Sequence, residues 1–147
     1  MIAQIGNLFL SGAFAVSFAG LILYALSSIK EEKKFETYAN WLWMAKGLFV
    51  LISSGALIYL IMTHQFQYYY VWNYTSLDLE TQYLFSAFYG GQEGSFMLWI
   101  LCGFLVGAGL IRWPRKPYRA PVMFVMMLTQ LFLLSMVVGW DFGFTNI

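Results

Sequence analysis

Four long, nearly unbroken apolar stretches constrain this chain more than any other feature. They run from about Ile5 to Ser28, Trp41 to Thr63, Ser95 to Ile111 and Pro121 to Trp140. A hydrocarbon layer about 30 Å thick requires about 20 apolar residues at 1.5 Å each, so each stretch is long enough to cross it as a helix. Helices satisfy their own backbone hydrogen bonds, which lipid cannot do for them. The predicted fold is therefore all-α: one polytopic membrane domain over 1–147 with about four transmembrane helices and a long lumenal loop between spans 2 and 3. Of the 147 residues 61% are hydrophobic and only 10% charged, against about 25% charged in soluble domains. The first stretch lacks the basic leader of a signal peptide, and its positive charges follow it, so it reads as a retained helix.

The charges set an orientation. All 8 Lys and Arg fall in or beside two connections. Lys30, Lys33, Lys34 and Lys46 flank the first, and Arg112, Arg115, Lys116 and Arg119 occupy the third. The positive-inside rule makes both cytoplasmic and places the N-terminus, residues 64–94 and the C-terminus on the outer face. Lys46, about a turn inside the second span, is expected to snorkel to the nearby interface. A net charge of +1 without a basic face excludes a nucleic-acid partner. Cys102 is the one cysteine, which excludes a disulfide, a C-x-x-C pair and a covalent heme motif. No metal site is expected, and Met123, Met126, Met127 and Met136 read as packing. Ser11, Ala15 and Ala19 form a small-residue stripe on the first span, and Gly103-x-x-x-Gly107 marks the third; both predict close helix approach.

The segment joining spans 2 and 3 is far longer than an ordinary connection. Residues 64–94 contain ten aromatic residues, among them Tyr68, Tyr69, Tyr70, Trp72 and Tyr74, with Asp78, Glu80 and Glu93 and no Lys or Arg. Residues 67–74 read as an interfacial aromatic belt, in which rings sit at headgroup level. Thr81 to Phe88 is predicted to be a short amphipathic interfacial helix, ended by Gly90-Gly91, where positive φ permits a tight reversal. Glu93 and Ser95 stand before the third span, where a carboxylate and a hydroxyl meet the free N–H groups of a helix start. Asn73-Tyr74-Thr75 matches a glycosylation sequon and carries no weight alone.

Tyr89-Gly90-Gly91-Gln92-Glu93-Gly94-Ser95-Phe96-Met97-Leu98-Trp99 resembles the segment that closes the first long lumenal loop of the CcmF/CycK family of cytochrome c maturation proteins. There a tryptophan, a glycine and a small residue precede His-Glu-Gly-Ser and a Leu-Leu-Trp run. Ile5-Gly6-Asn7 and the stretch Phe66 to Val71 support the resemblance, which spans nearly the full chain. It implies a heme lyase component that handles heme for attachment to apocytochrome c on the outer face of a bacterial plasma membrane or an organellar inner membrane. Implied partners are membrane lipid, other heme-lyase and heme-chaperone components, apocytochrome c and a downstream portion of the same family protein. Family members are normally several hundred residues long, so the chain is expected to be the N-terminal part of a larger protein or a split assembly.

Two departures matter: Tyr89 stands where the family has Trp, and Gln92 where it has His. Gln92 can hydrogen-bond to a propionate but cannot hold iron strongly. Tyr89, Gln92, Glu93, Ser95 and Trp99 are therefore expected to form a heme-adjacent or partner-docking element without iron ligands. Heme contact is expected to be transient, with ligands outside this chain. His64 is the one histidine and reads as an interfacial helix end. No Ser-His-Asp, Cys-His or paired-carboxylate set is present, so no catalytic residue is assigned. The alternatives are a small transporter or channel subunit, for which Gln130, Ser53 and Ser54 are the only mid-span polar candidates, and a scaffold that docks a partner without touching heme.

Overall fold

The computed structural model describes residues 1–78, 80–113 and 118–138, apart from the side chains of Thr81 and Phe85. Arg115 and Lys116 of the third connection, Trp140 at the end of the fourth apolar stretch and the C-terminal tail lie outside these residues. The elements are α1 (Ile2–Lys30), α2 (Lys33–Met62), α3 (Tyr69–Tyr74), α4 (Thr81–Gly90), α5 (Gln92–Arg112) and α6 (Arg119–Val138). Of these, α1, α2, α5 and α6 are long and apolar enough to cross a membrane.

The helices extend beyond the expected apolar limits, most at the start of α2, which begins at Lys33 rather than near Trp41. Hydropathy marks lipid depth, whereas helix continues wherever polar side chains find partners. Glu36, in the first turn of α2, is buried against Arg119 at the start of α6, with Arg119 Nε 2.6 Å from Glu36 Oε1. The same guanidinium donates to the carbonyls of Ile111 and Trp113 at the end of α5. One arginine thus ties together α2, α5 and α6 at the end that carries Lys30, Lys33, Lys34 and Arg112. Beside it the Tyr24 hydroxyl donates to Asn40 Oδ1 at 2.8 Å. Glu31, at φ 54, closes α1 in the left-handed region, and extended Glu32 starts α2, giving a two-residue hairpin.

The buried residues of α1 are Ala3, Gly6, Leu10, Ala13, Ser17, Gly20, Tyr24 and Ser27. Their spacing alternates between three and four, the 3.5-residue repeat of left-handed helix packing. The buried series Ala120, Met123, Met127, Gln130, Leu134 and Val137 of α6 repeats it. The expected stripe Ser11, Ala15 and Ala19 is instead exposed. In lipid both faces of a helix are apolar, so small residues alone did not identify the packed one. Around the bundle α1 packs on α2 and α6, and α5 packs on the same two helices. Close approach is visible at Gly20, where a Cβ would lie 2.5 Å from the Met127 methyl. Ser53 Oγ donates to the Gly6 carbonyl at 3.0 Å, joining α2 to α1.

Helices α2 and α6 face each other across the bundle and are bridged there by side chains. Lys46 is completely buried, its Nζ 2.9 Å from Gln130 Oε1 and 3.5 Å from the centroid of the Trp43 ring. The expected snorkelling of Lys46 is therefore incorrect: a polar acceptor and an aromatic face inside the bundle hold the amine more directly than a distant interface does. Trp43 Nε1 in turn donates to the Phe104 carbonyl at 3.2 Å. Gly103 and Gly107 do bring α5 close, but to side chains: a Cβ on Gly103 would strike the Gln130 amide, and one on Gly107 the Trp43 indole. The G-x-x-x-G pattern thus seats the two neighbours of Lys46.

Candidate functional site

At the opposite end from the basic residues, α3 and α4 cover the bundle between the end of α2 and the start of α5. Tyr70 organises this layer. It is 1% exposed, and Val71 beside it is fully buried, as are Tyr68, Leu84, Ala87 and Phe88 to within a few per cent. The Tyr70 hydroxyl donates toward the carbonyls of Phe88 at 2.8 Å and Ala87 at 3.1 Å, and accepts from the Gly91 N–H at 3.2 Å. Its ring lies 4.7 Å from that of Tyr74. Burial pushes the Tyr70 phenol above the ordinary tyrosine value, the Glu93 charge adds to that, and the Gly91 hydrogen bond opposes it. A neutral phenol therefore fixes the turn between α4 and α5. The aromatic-belt expectation for residues 67–74 fails for Tyr68 and Tyr70, which form part of the core, while Tyr69 and Trp72 are exposed.

The glycines serve this turn by close approach. No glycine described has positive φ, and Gly91 is extended at φ −88 and ψ 162, which corrects the expected reversal through positive φ. Helix α4 runs through Gly90, and a Cβ on Gly91 would stand 2.7 Å from the rings of Tyr70 and Tyr74. A Cβ on Gly94 would strike the Phe88 carbonyl oxygen, a backbone atom that cannot rotate away. Both positions need glycine because the aromatic layer presses on them.

The five residues expected to form the site divide into two groups. Ser95 is internal to the turn: its hydroxyl donates to the carbonyls of Tyr89 at 2.9 Å and Gly91 at 3.0 Å. The expected capping by Glu93 and Ser95 does not occur, because α5 begins at Gln92, one turn earlier, and has no side-chain cap. Glu93 is half-buried, and its Oε2 is buried without a hydrogen-bond partner. Tyr89, Gln92 and Trp99 face outward, Trp99 being 61% exposed. Tyr89 shares a 3.2 Å hydrogen bond with Ser86, and the rings of Trp99 and Phe96 meet edge-on at 6.2 Å. His64 follows α2 at φ 50, with its Nδ1 buried and unpartnered and its ring stacked on Phe66. Among the described residues no group of three or more His, Cys, Asp or Glu could hold a metal ion.

Sequence reasoning missed Tyr70, one tyrosine among several in a row; the available signal was Tyr74, four positions on and so on the same helix face. It also misread Lys46, whose signal was a glutamine at mid-span in another helix.

No family model matches the chain. Over 102 residues it is 34% identical to the cytochrome c-type biogenesis protein CcmF of Haemophilus influenzae, covering 68% of this chain and 15% of that protein. Over 53 residues it is 45% identical to CcmF of Pseudomonas fluorescens, covering 36% of this chain and 8% of that protein. The solved structure of a cytochrome c heme lyase CcmF superimposes with a TM-score of 0.91 at 27% identity, over 98% of this chain and 25% of that one. The chain thus spans a quarter or less of each relative.

Proposed function

This chain belongs to the CcmF family of cytochrome c-type biogenesis proteins, and from that premise we propose that it is the N-terminal part of a heme lyase assembly. In this reading it serves cytochrome c maturation, handling heme for attachment to apocytochrome c on the outer face of a bacterial plasma membrane or organellar inner membrane. The observation that carries the proposal is the superposition of nearly the whole chain on a heme lyase at a TM-score of 0.91.

Within the assembly this chain shapes and supports. Tyr70, Gly91 and Gly94 hold the α4–α5 turn rigid, so that Tyr89, Gln92 and Trp99 project from a fixed backbone. Gln92, exposed at the turn, offers an amide that hydrogen-bonds but does not hold iron strongly. Ligands for heme then come from the remaining portion of the assembly or a partner. With the basic end in the cytoplasm, the α3–α4 layer faces outward, where the attachment reaction belongs. The transporter alternative loses its best residue, since the Gln130 oxygen is engaged by Lys46.

The test is to purify the chain in detergent with and without the downstream portion and to record heme absorption. Heme is expected in the assembly and absent from the isolated chain. Heme on the isolated chain overturns the placement of the ligands elsewhere, and its absence from the complete assembly overturns the family role.

A further inference from the structure

Glycines inside the spans of this chain have a visible use. Gly12 receives the Phe49 ring, Gly20 the Met127 methyl, Gly47 the Phe104 ring, Gly103 the Gln130 amide and Gly107 the Trp43 indole, each from a neighbouring helix and each so near that a Cβ would crowd it. Gly55 breaks this pattern. It lies well inside α2, is exposed, and has no atom within 4 Å of where its Cβ would stand. Glycine in a helix interior lowers stability relative to alanine. Lipid returns nothing for that loss, because acyl chains close around a methyl group as readily as around a hydrogen. Gly109 is open as well, but it stands in the last turn of α5, where a glycine disturbs the helix less. Leu48 and Leu51 before Gly55, and Tyr59 and Met62 after it, fall four and seven positions away and so lie on its face of the helix. All four are exposed. They frame an apolar notch whose floor is the glycine, between Leu51 and Tyr59, about 12 Å apart along the axis.

From this we propose that the Gly55 face of α2 seats a transmembrane helix of the downstream portion of the assembly, which lays a bulky apolar side chain on the glycine. The proposal rests on the heme lyase reading above and adds where the two portions join. In the heme lyase that superimposes on this chain, the matching bundle is 25% of the protein, so most of that protein lies outside the bundle and has to pack against it. In lipid a helix gains nothing by hiding apolar surface, and association comes instead from close packing at small residues. The filled glycines show that this chain joins its own helices in that way. Gly55 offers the same seat to a helix from outside.

The experiment attaches a nitroxide spin label at Leu51→Cys in a Cys102→Ala background and compares, in nanodiscs, the chain alone with the chain co-purified with the downstream portion. Alone, the label is expected to be mobile and open to collision with oxygen dissolved in the lipid; both properties are expected to be lost when the downstream portion is bound. Gly55→Leu is expected not to lower the melting temperature of the chain alone, because the space is open, yet to reduce the downstream portion retained by the tagged chain at least about tenfold. A label that the downstream portion leaves unchanged, or full retention by Gly55→Leu, overturns the proposal. Immobilisation of the label in the chain alone also overturns it, by assigning the face to a second copy. Heme absorption of the unsubstituted assembly reports on the heme lyase role separately: heme present with an unchanged label sinks the docking face alone, whereas failure of the unsubstituted chain to retain the downstream portion sinks both.

Discussion

Replacing Gln130 by leucine tests the interior of the bundle most directly. The substitution roughly keeps volume and removes the amide oxygen that accepts from Lys46, 2.9 Å from its amine. Lys46 lies about 20 Å from the start of α2 and about 24 Å from its end at 1.5 Å per residue. An isolated α2 could still let the lysine snorkel, because the apolar run begins only about 8 Å before it. Folding withdraws that outlet, since Lys46 is 0% exposed in the bundle. A hydrogen bond to an ionised group contributes about 1.5–3 kcal/mol, whereas interhelical hydrogen bonds in membranes average about 0.6 and reach about 1.7 because the separated helices find other partners. Here the amine loses its glutamine acceptor inside the folded bundle, so the upper end of the membrane range applies and the expected loss is about 1.7 kcal/mol, near eighteenfold in the unfolding equilibrium. Lys46→Met alone leaves the Gln130 oxygen buried and unpaired, a loss of about 1–2 kcal/mol. The double variant strands neither group and is expected within about 1 kcal/mol of the parent. The assay is reversible unfolding in bicelles, followed by a fluorophore pair on the two ends of α2 and α6. Additive losses in the double variant, or an unchanged Gln130→Leu, would refute the reasoning.

Gly94→Ala drives a methyl group into the Phe88 carbonyl and is expected to destabilise the α4–α5 turn by at least about 2 kcal/mol, while Gly90→Ala, with open space around it, stays within about 0.5 kcal/mol; limited proteolysis between α3 and α5 compares them. Tyr70→Phe removes the hydroxyl bonded to Gly91 and Phe88 and is expected to lower stability by about 1–3 kcal/mol. An unfolded tyrosine ionises near about pH 10, and the folded value is raised. The contribution of Tyr70 is therefore complete below that pH and is lost as pH rises above it, so melting curves should fall more steeply above about pH 10 in the parent than in Tyr70→Phe. Arg119→Lys keeps the charge but cannot serve Glu36, Ile111 and Trp113 together; a loss of about 1–2 kcal/mol in the bicelle assay is expected, with Lys failing as a substitute for the planar fork. Asp78→Cys in a Cys102→Ala background is expected to react with an impermeant maleimide from the outer side of intact cells; protection there with reaction only from the cytoplasm overturns the orientation.

Much of the fold was legible because the membrane imposes length. Apolar runs long enough to cross, and a short amphipathic helix at Thr81, follow from arithmetic on the sequence. Helix ends were less legible: α2 begins at Lys33 because Glu36 meets Arg119, 83 positions away, and no local pattern announces such a partner. The packed face of α1 was hidden for a different reason. In water an exposed face is polar, but here Leu8, Phe18 and Ile22 are exposed and match the core in hydropathy. What distinguishes the inner face is the 3.5-residue repeat of small and polar residues, Gly6, Ala13, Ser17, Gly20 and Ser27, rather than any single group such as Ser11, Ala15 and Ala19. Lys46 illustrates the limit of local rules, since its fate depends on a glutamine two spans away.

The geometry also sorts the residues of the α4–α5 turn into parts with different reasons for being there. Gly91 and Gly94 leave room for Tyr70 and the Phe88 carbonyl, and Ser95 ties its hydroxyl to the carbonyls of Tyr89 and Gly91. Packing accounts for these three completely, so their match to the family's Gly-Ser pattern speaks for a shared backbone and not for shared chemistry. Tyr89, Gln92 and Trp99 are exposed instead, Tyr89 reaching the Ser86 hydroxyl and Trp99 the edge of Phe96. Two of the three, Tyr89 and Gln92, are the positions at which the sequence resemblance is imperfect. Exposed side chains can change with little effect on stability, whereas Gly91 and Gly94 cannot. The same turn therefore supports the family assignment through its buried residues, and the chain's own specificity is to be sought in the outward ones.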